Sequence, residues 1–143
     1  MESVKIKDYM THRPVFFKGN ETVVEAVEKL LQSNISGAPV IDVDRHVIGF
    51  VSEQDCIKAM LSSTYHSGES SQNVCELMQK EVVTRKAYES VLQLAEDMLV
   101  IKPRVYPVVD DDEKLVGCIT RTHVLKALDK HLHSIYEQGH RFV

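Results

Sequence analysis

"GFVSEQD", residues 49–55, runs from an apolar stretch into the start of a helix, and sixty-eight positions later the chain writes "GCITRTH", residues 117–123. The glycine is kept, the apolar residues are kept in kind, and the hydroxyl stays in fourth place as Ser52 and Thr120. The seventh place changes its chemistry, from Asp55 to His123. The same offset lays Ile6–Ala59 on Val74–Ala127 without a gap, placing Met10 on Met78, Val15 on Val83 and Glu21 on Glu89. "APVID" at 38–42 likewise falls on "YPVVD" at 106–110. One register held over that length is a duplication, and a duplication decides the fold before any single motif does.

Each copy reads β-α-β-β-α. Short apolar segments near Val15–Phe17 and Val82–Thr84 predict a first strand. Thr22-x-x-Glu25 is a capping box opening a helix with Val23, Val27, Leu30 and Leu31 at helical spacing. Ser90-x-x-Gln93 opens its counterpart, with Val91, Leu94, Ala95, Met98 and Leu99 on one face. The runs Pro39–Ile41 and Val47–Val51 flank "DVDRH" as strand, turn, strand, and "DDDEK" from Asp110 is the matching turn. A second helix is expected over Glu53–Leu61, and in the other copy from Arg121 to about Tyr136. A unit of ~55 residues buries too small a fraction of its surface to stand alone, so the two copies must share a core. The expected division is 1–61, a Ser-rich linker at 62–73, a second copy at 74–130 and a helical extension at 131–143.

The 143 residues carry a net charge of −4, with 43% apolar and 27% charged side chains. That balance belongs to an ordinary globular protein and argues against nucleic-acid binding through clustered Lys and Arg. No apolar run approaches the ~18 residues a membrane span needs, and "MESVKIKDYMTHR" has no signal-peptide core, so a cytoplasmic, membrane-free protein is expected. Cys56, Cys75 and Cys118 form no C-x-x-C pair and read as buried, reduced thiols. The seven His residues lack metal-ligand spacing, and no nucleophile motif is present; neither a metal site nor an enzyme is expected.

The landmarks "DYMT" (8–11) with "ELM" (76–78), "SGAPVID" (36–42) with "RVYPVVD" (104–110), and the two G-x-x-[ST] elements resemble the cystathionine β-synthase (CBS) domain family. The chain resembles a tandem CBS pair, or Bateman module, over about Val4–Lys130. The resemblance implies an α/β (α+β) fold of two repeats packed about a pseudo-two-fold axis, with two clefts. It also implies a ligand: AMP, ADP, ATP or S-adenosylmethionine.

The family's ribose signature, G-x-x-[ST]-x-x-D, is complete in Gly49, Ser52 and Asp55. In the second copy Gly117 and Thr120 match and His123 departs from it. The resemblance further implies phosphate contact by Arg104, with Lys102, Arg13 and Arg121 on the same rim. It implies adenine walls from Val15 and Gly37-Ala38-Pro39 in the Asp55 cleft, and from Val83 and Tyr106-Pro107 in the other.

The residue chemistry leaves two readings of the signature open. A carboxylate accepts two hydrogen bonds at once, which suits vicinal ribose hydroxyls; yet Ser-x-x-Asp at a helix start also caps that helix. Neutral imidazole offers one acceptor, so a tight Asp55 cleft and a weak His123 cleft are expected. The expected function is ligand sensing that acts on an effector protein; the alternative is an assembly module without a small ligand. The stripe Val124, Leu125, Leu128, Leu132 and Ile135 predicts a homodimer.

Overall fold

Thr22 opens the first helix as its spacing predicts. Its Oγ1 accepts from the Glu25 N–H at 3.2 Å, starting α1, Val23–Ser33. The helix stops where Asn34 takes a left-handed conformation, φ 53°, which Asn tolerates better than most residues. Ser90 Oγ accepts from the Leu92 and Gln93 N–H groups and opens α4, Val91–Met98. The computed structural model containing these elements describes residues 4–65, 72–101 and 103–141.

Two three-stranded sheets carry the duplication in their register. In the first, β1 (Phe17–Lys18) lies parallel to β2 (Gly37–Ile41), which is antiparallel to β3 (Val47–Ser52). In the second, β4 (Arg85–Lys86), β5 (Val105–Val109) and β6 (Leu115–Thr120) repeat that order. Val40 faces Gly49 and Val108 faces Gly117, and each pair is followed by the same irregularity. The hairpin turns match too. Asp42 Oδ1 accepts from Asp44 and His46, Asp110 Oδ1 from Asp112 and Lys114, and Arg45 and Glu113 have φ of 70° and 63°. Helix α2, Glu53–Tyr65, leaves β3 directly, and α5, Arg121–Arg141, leaves β6 in the same way. Among the described residues no helix is long and apolar enough to cross a membrane.

The packing units do not follow the sequence repeats, because the leading segments are exchanged. Ile6–Asp8 is a single 3-10 turn whose Ile6 and Lys7 N–H groups donate to Glu89 and Ala87 carbonyls, far along the chain. Ile6 is fully buried in a core with Met10, Val91, Leu94, Tyr106, Ile119 and Val124. The corresponding short helix α3, Val74–Leu77, buries Val74 in the other core, with Phe17, Leu30, Val40 and Val51. Burying one such side chain contributes about 1.5–3 kcal/mol. Each leading segment then bridges the last strand of a sheet: Thr11 pairs with Cys118, and Gln79 with Phe50.

This exchange explains why the first strands start later than expected, at Phe17 and Arg85. Residues 12–16 must cross from Cys118 in one sheet to Val40 in the other, and residues 80–84 make the reverse crossing. They cannot pair while they cross.

Four other expectations change. Leu31 is 71% exposed and Ala26 is buried in its stead, since the inward face of α1 runs Val23, Ala26, Leu30. Leu99 lies beyond α4 and is 87% exposed. Cys75 is exposed while Cys56 and Cys118 are buried, because α3 turns only Val74 fully inward. The expected linker 62–73 begins as helix, with α2 running to Tyr65; its residues 66–71 lie outside the described residues.

Candidate functional site

The two crossings wall two clefts, one beside each strand-to-helix junction. The larger, about 640 Å³, is lined by Ser52, Glu53 and Gln54 at the start of α2, by Glu81–Val83 of the second crossing, and by Arg104. The smaller, about 520 Å³, is lined by Thr120, Arg121 and Thr122 at the start of α5, by Arg13–Val15 of the first crossing, and again by Arg104. Ser36 also lines both. Ser36 and Arg104 hold corresponding positions in the loops before β2 and β5, so the pseudo-symmetry brings each to both clefts.

The expected walls are therefore paired the other way round. Val15 lines the Thr120 cleft and Val83 the Ser52 cleft, because each crossing starts from the strand beside the cleft it walls. Gly37, Ala38, Pro39, Tyr106 and Pro107 are buried within β2 and β5 and line neither cleft. Gly49 and Gly117 do permit a close approach, but the approaching atoms are protein: Met78 Sδ for the first, Thr11 O and Met10 Sδ for the second. Arg104, Arg121 and Arg13 line the Thr120 cleft together, and Lys102 lies outside the described residues.

At the first junction Ser52 and Asp55 form a reciprocal cap. The Ser52 N–H and Oγ–H both donate to Asp55 Oδ2 at 2.9 Å, and the Asp55 N–H donates back to Ser52 Oγ at 3.1 Å. Asp55 Oδ1 meets only Gln79 Nε2, at a long 3.4 Å, among the described residues. Asp55 stands behind Ser52 and is not itself part of the cleft lining.

His123 does the same work at the second junction. The Thr120 N–H donates to His123 Nδ1 at 3.0 Å, and the His123 N–H donates to Thr120 Oγ1 at 3.3 Å. A backbone N–H can only donate, so Nδ1 carries the lone pair and the ring is neutral, protonated on Nε2. Burial, with a smaller push from Lys126, holds its pKa below the usual 6.5 and keeps it in that form. Thus the changed seventh letter preserves the cap while removing a charge.

A pH test follows. The unfolded chain takes up the proton at about 6.5 and the native chain only at lower pH. The cap is thus intact above pH 6.5 and is lost as pH falls through the native value. Relative to His123→Asp, the wild type should lose up to ~0.5–2 kcal/mol on acidification, the worth of a cap. Urea titrations of both proteins at pH 7.5 and 5.5 measure this; a constant difference would exclude it.

Two arginines outside the clefts are held by partners. Arg85 pairs with Asp97 at 2.9 Å, and Arg45 donates to the Leu115 carbonyl at 3.2 Å over the Phe16 ring. No ion pair among the described residues involves Arg13, Arg104 or Arg121, which line the Thr120 cleft. The Cys118 thiol in that wall is pushed up to about 12 by burial and stays neutral. Glu53, Glu81 and Ser36 escaped the reading of the sequence. The signal for the two acids was present, since they fall at the repeat positions of Arg121 and Arg13.

Comparison with known proteins agrees with the twofold repeat. The CBS domain family model matches residues 6–62 and again 74–130. Inosine-5′-monophosphate dehydrogenase of Methanocaldococcus jannaschii is 31% identical over 87% of this chain. The match takes in only 23% of that enzyme, and 25% of a homoserine O-acetyltransferase of Methanosphaera stadtmanae, so the chain spans about a quarter of these relatives. Among solved structures, CBSX2 in complex with AMP superposes with a TM-score of 0.77 at 28% identity, covering 88% of this chain and 96% of that one. The CBS domain pair of protein MJ0100, in complex with 5′-methylthioadenosine and S-adenosylmethionine, gives 0.74 at 25% identity, covering 87% and 99%.

Proposed function

Since the chain belongs to the CBS domain family and carries two copies of the domain, we propose that it is a regulatory module that binds adenosyl ligands in its two clefts and signals to an effector protein. The observation that carries this reading is the pair of clefts themselves. Each joins a helix start, a hydroxyl and apolar crossing residues, which suits a ribose, an adenine face and a 5′ substituent. The AMP bound by CBSX2 and the 5′-methylthioadenosine and S-adenosylmethionine bound by MJ0100 support the ligand class. A ligand acts on an effector only through different affinity for two states, and the exchanged segments provide contacts that such states would differ in.

Thermal unfolding with and without AMP and adenosine tests the reading. A ligand at 100-fold over its Kd should add ~2.7 kcal/mol. Asp55 Oδ1 is the acceptor left for ribose hydroxyls, and Asp55→Ala should weaken adenosine binding about tenfold or more, the worth of a charge-assisted hydrogen bond. Calorimetry on the folded variant that returns wild-type affinity would remove Asp55 from the site.

Homodimer formation is the second part of this proposal, with a corrected surface. Val124 is buried in its own half, so the stripe on α5 divides. Leu125, Leu132 and Ile135 remain more than half exposed, at 67%, 63% and 51%, and Ile57 and Leu61 of α2 are similarly open. Exposed apolar helix faces of this kind favour pairing. Light scattering at micromolar concentration should give twice the 16.2 kDa chain mass; a monomer mass would refute it.

A further inference from the structure

The two clefts were made by one duplication, yet their charges are opposed at matching positions. Glu53 at the start of α2 corresponds to Arg121 at the start of α5, and Glu81 in one crossing corresponds to Arg13 in the other. With Arg104 common to both, the Ser52 cleft carries two acids and one base, and the Thr120 cleft carries three bases and no acid. The linings therefore differ by four charges, −1 against +3. From this reversal we infer that the clefts sort adenosyl ligands by charge: the Thr120 cleft takes a nucleoside di- or triphosphate, and the Ser52 cleft takes an adenosyl compound with a neutral or cationic 5′ group. The adenosyl part rests on the function proposed above.

Three guanidinium groups that pair with no carboxylate among the described residues present planar donor forks to phosphate oxygens. In the other cleft the two carboxylates repel a polyphosphate and favour a cation such as a sulfonium. Arg104 sharpens the sorting, because it faces both clefts and can serve one phosphate chain at a time. A nucleotide in the Thr120 cleft leaves its neighbour with only Glu53 and Glu81. The complete ribose device, Ser52 backed by Asp55, stands at the cleft whose lining is net negative, so each cleft favours a different part of the ligand. For phosphorylated ligands this reverses the order expected from the ribose signature alone.

Titration calorimetry of the full chain with ATP, adenosine, S-adenosylmethionine and inorganic tripolyphosphate tests the inference. The wild type should bind one ATP per chain tightly. Arg13→Gln with Arg121→Gln should weaken ATP and tripolyphosphate by about tenfold or more per arginine and leave S-adenosylmethionine unchanged. Glu53→Arg with Glu81→Arg should create a second ATP site and weaken S-adenosylmethionine. Two equal ATP sites in the wild type, or arginine variants with normal ATP affinity, would overturn the sorting while leaving the adenosyl reading intact. Tripolyphosphate binding without adenosine or S-adenosylmethionine binding would keep the polyanion cleft and overturn the adenosyl half of the sorting. No binding of any of the four overturns both.

Discussion

Tyr106→Ala should cost about 3–5 kcal/mol of folding stability, the range for removing a large aromatic side chain from a core. Tyr106 is the largest fully buried side chain among the described residues, with 0% exposure, and it packs in the core that also receives Ile6. The Arg85 guanidinium lies 5.4 Å from its ring centre and adds a cation–π contact. Its hydroxyl makes no hydrogen bond to the described residues. A buried hydroxyl without a partner costs stability, so Tyr106→Phe should match the wild type or be slightly more stable. Urea denaturation measures both variants.

The same pair of variants bears on function. The family resemblance placed Tyr106 against adenine, whereas the structure places its ring in the core. Tyr106→Phe should therefore keep wild-type nucleotide affinity. A loss of affinity in a stable Tyr106→Phe protein would return the residue to the binding site.

The second large effect is expected at Gly117. A Cβ there would come within 2.7 Å of the Thr11 carbonyl oxygen and 2.8 Å of Met10 Sδ. That carbonyl is fixed by the Cys118 N–H at 3.1 Å, so it cannot retreat without breaking the bridge. At Gly49 the nearest obstacles, Met78 Sδ at 2.3 Å and Cγ, both belong to one flexible side chain, and the Gln79 carbonyl lies farther off at 3.1 Å. Backbone obstruction should win over the shorter side-chain distance. Gly117→Val should cost about 2–4 kcal/mol, from overpacking together with loss of the Thr11–Cys118 pairing. Gly117→Ala should cost more than Gly49→Ala. Since Thr11 anchors the wall formed by Arg13–Val15, the Gly117 variants should also lose affinity for tripolyphosphate. Equal costs for the two alanine variants would show that the bridge does not anchor the segment.

Much of this architecture was legible because a duplication repeats its signals. Thr22 and Ser90 cap as their spacing requires, and both hairpins fall where "DVDRH" and "DDDEK" place them. Periodicity erred where it had no partner to consult. Leu31 fits the helical spacing of Val27 and Leu30, but nothing in the sequence says that the first sheet and α2 leave that side of α1 to solvent. The walls were assigned to the wrong clefts for a related reason. A repeat alignment shows which residues correspond, and correspondence is the same whether the leading segments stay with their own copy or are exchanged. Val15 and Val83 changed clefts on that one ambiguity. The opposition of Glu81 to Arg13 lay in the sequence all along, but it acquires meaning only once the crossings are placed.

The exchanged segments also set an order in which the chain can become native. Val74 docks on a half whose strands and helices have already emerged, so that half can close as soon as residues 74–79 are available. Ile6 has no such opportunity: its partners Ala87 and Glu89, and the Cys118 strand that receives Thr11, come roughly eighty or more residues later. During synthesis the segment Val4–Thr11 must wait, apolar side chains unburied, while everything between is made. Its docking closes a loop of about a hundred residues, from Thr11 to Cys118, and that closure builds the wall carrying Arg13. The arginine-rich cleft thus cannot exist until β6 and the start of α5 have been made, and a chain halted before β6 presents no such site.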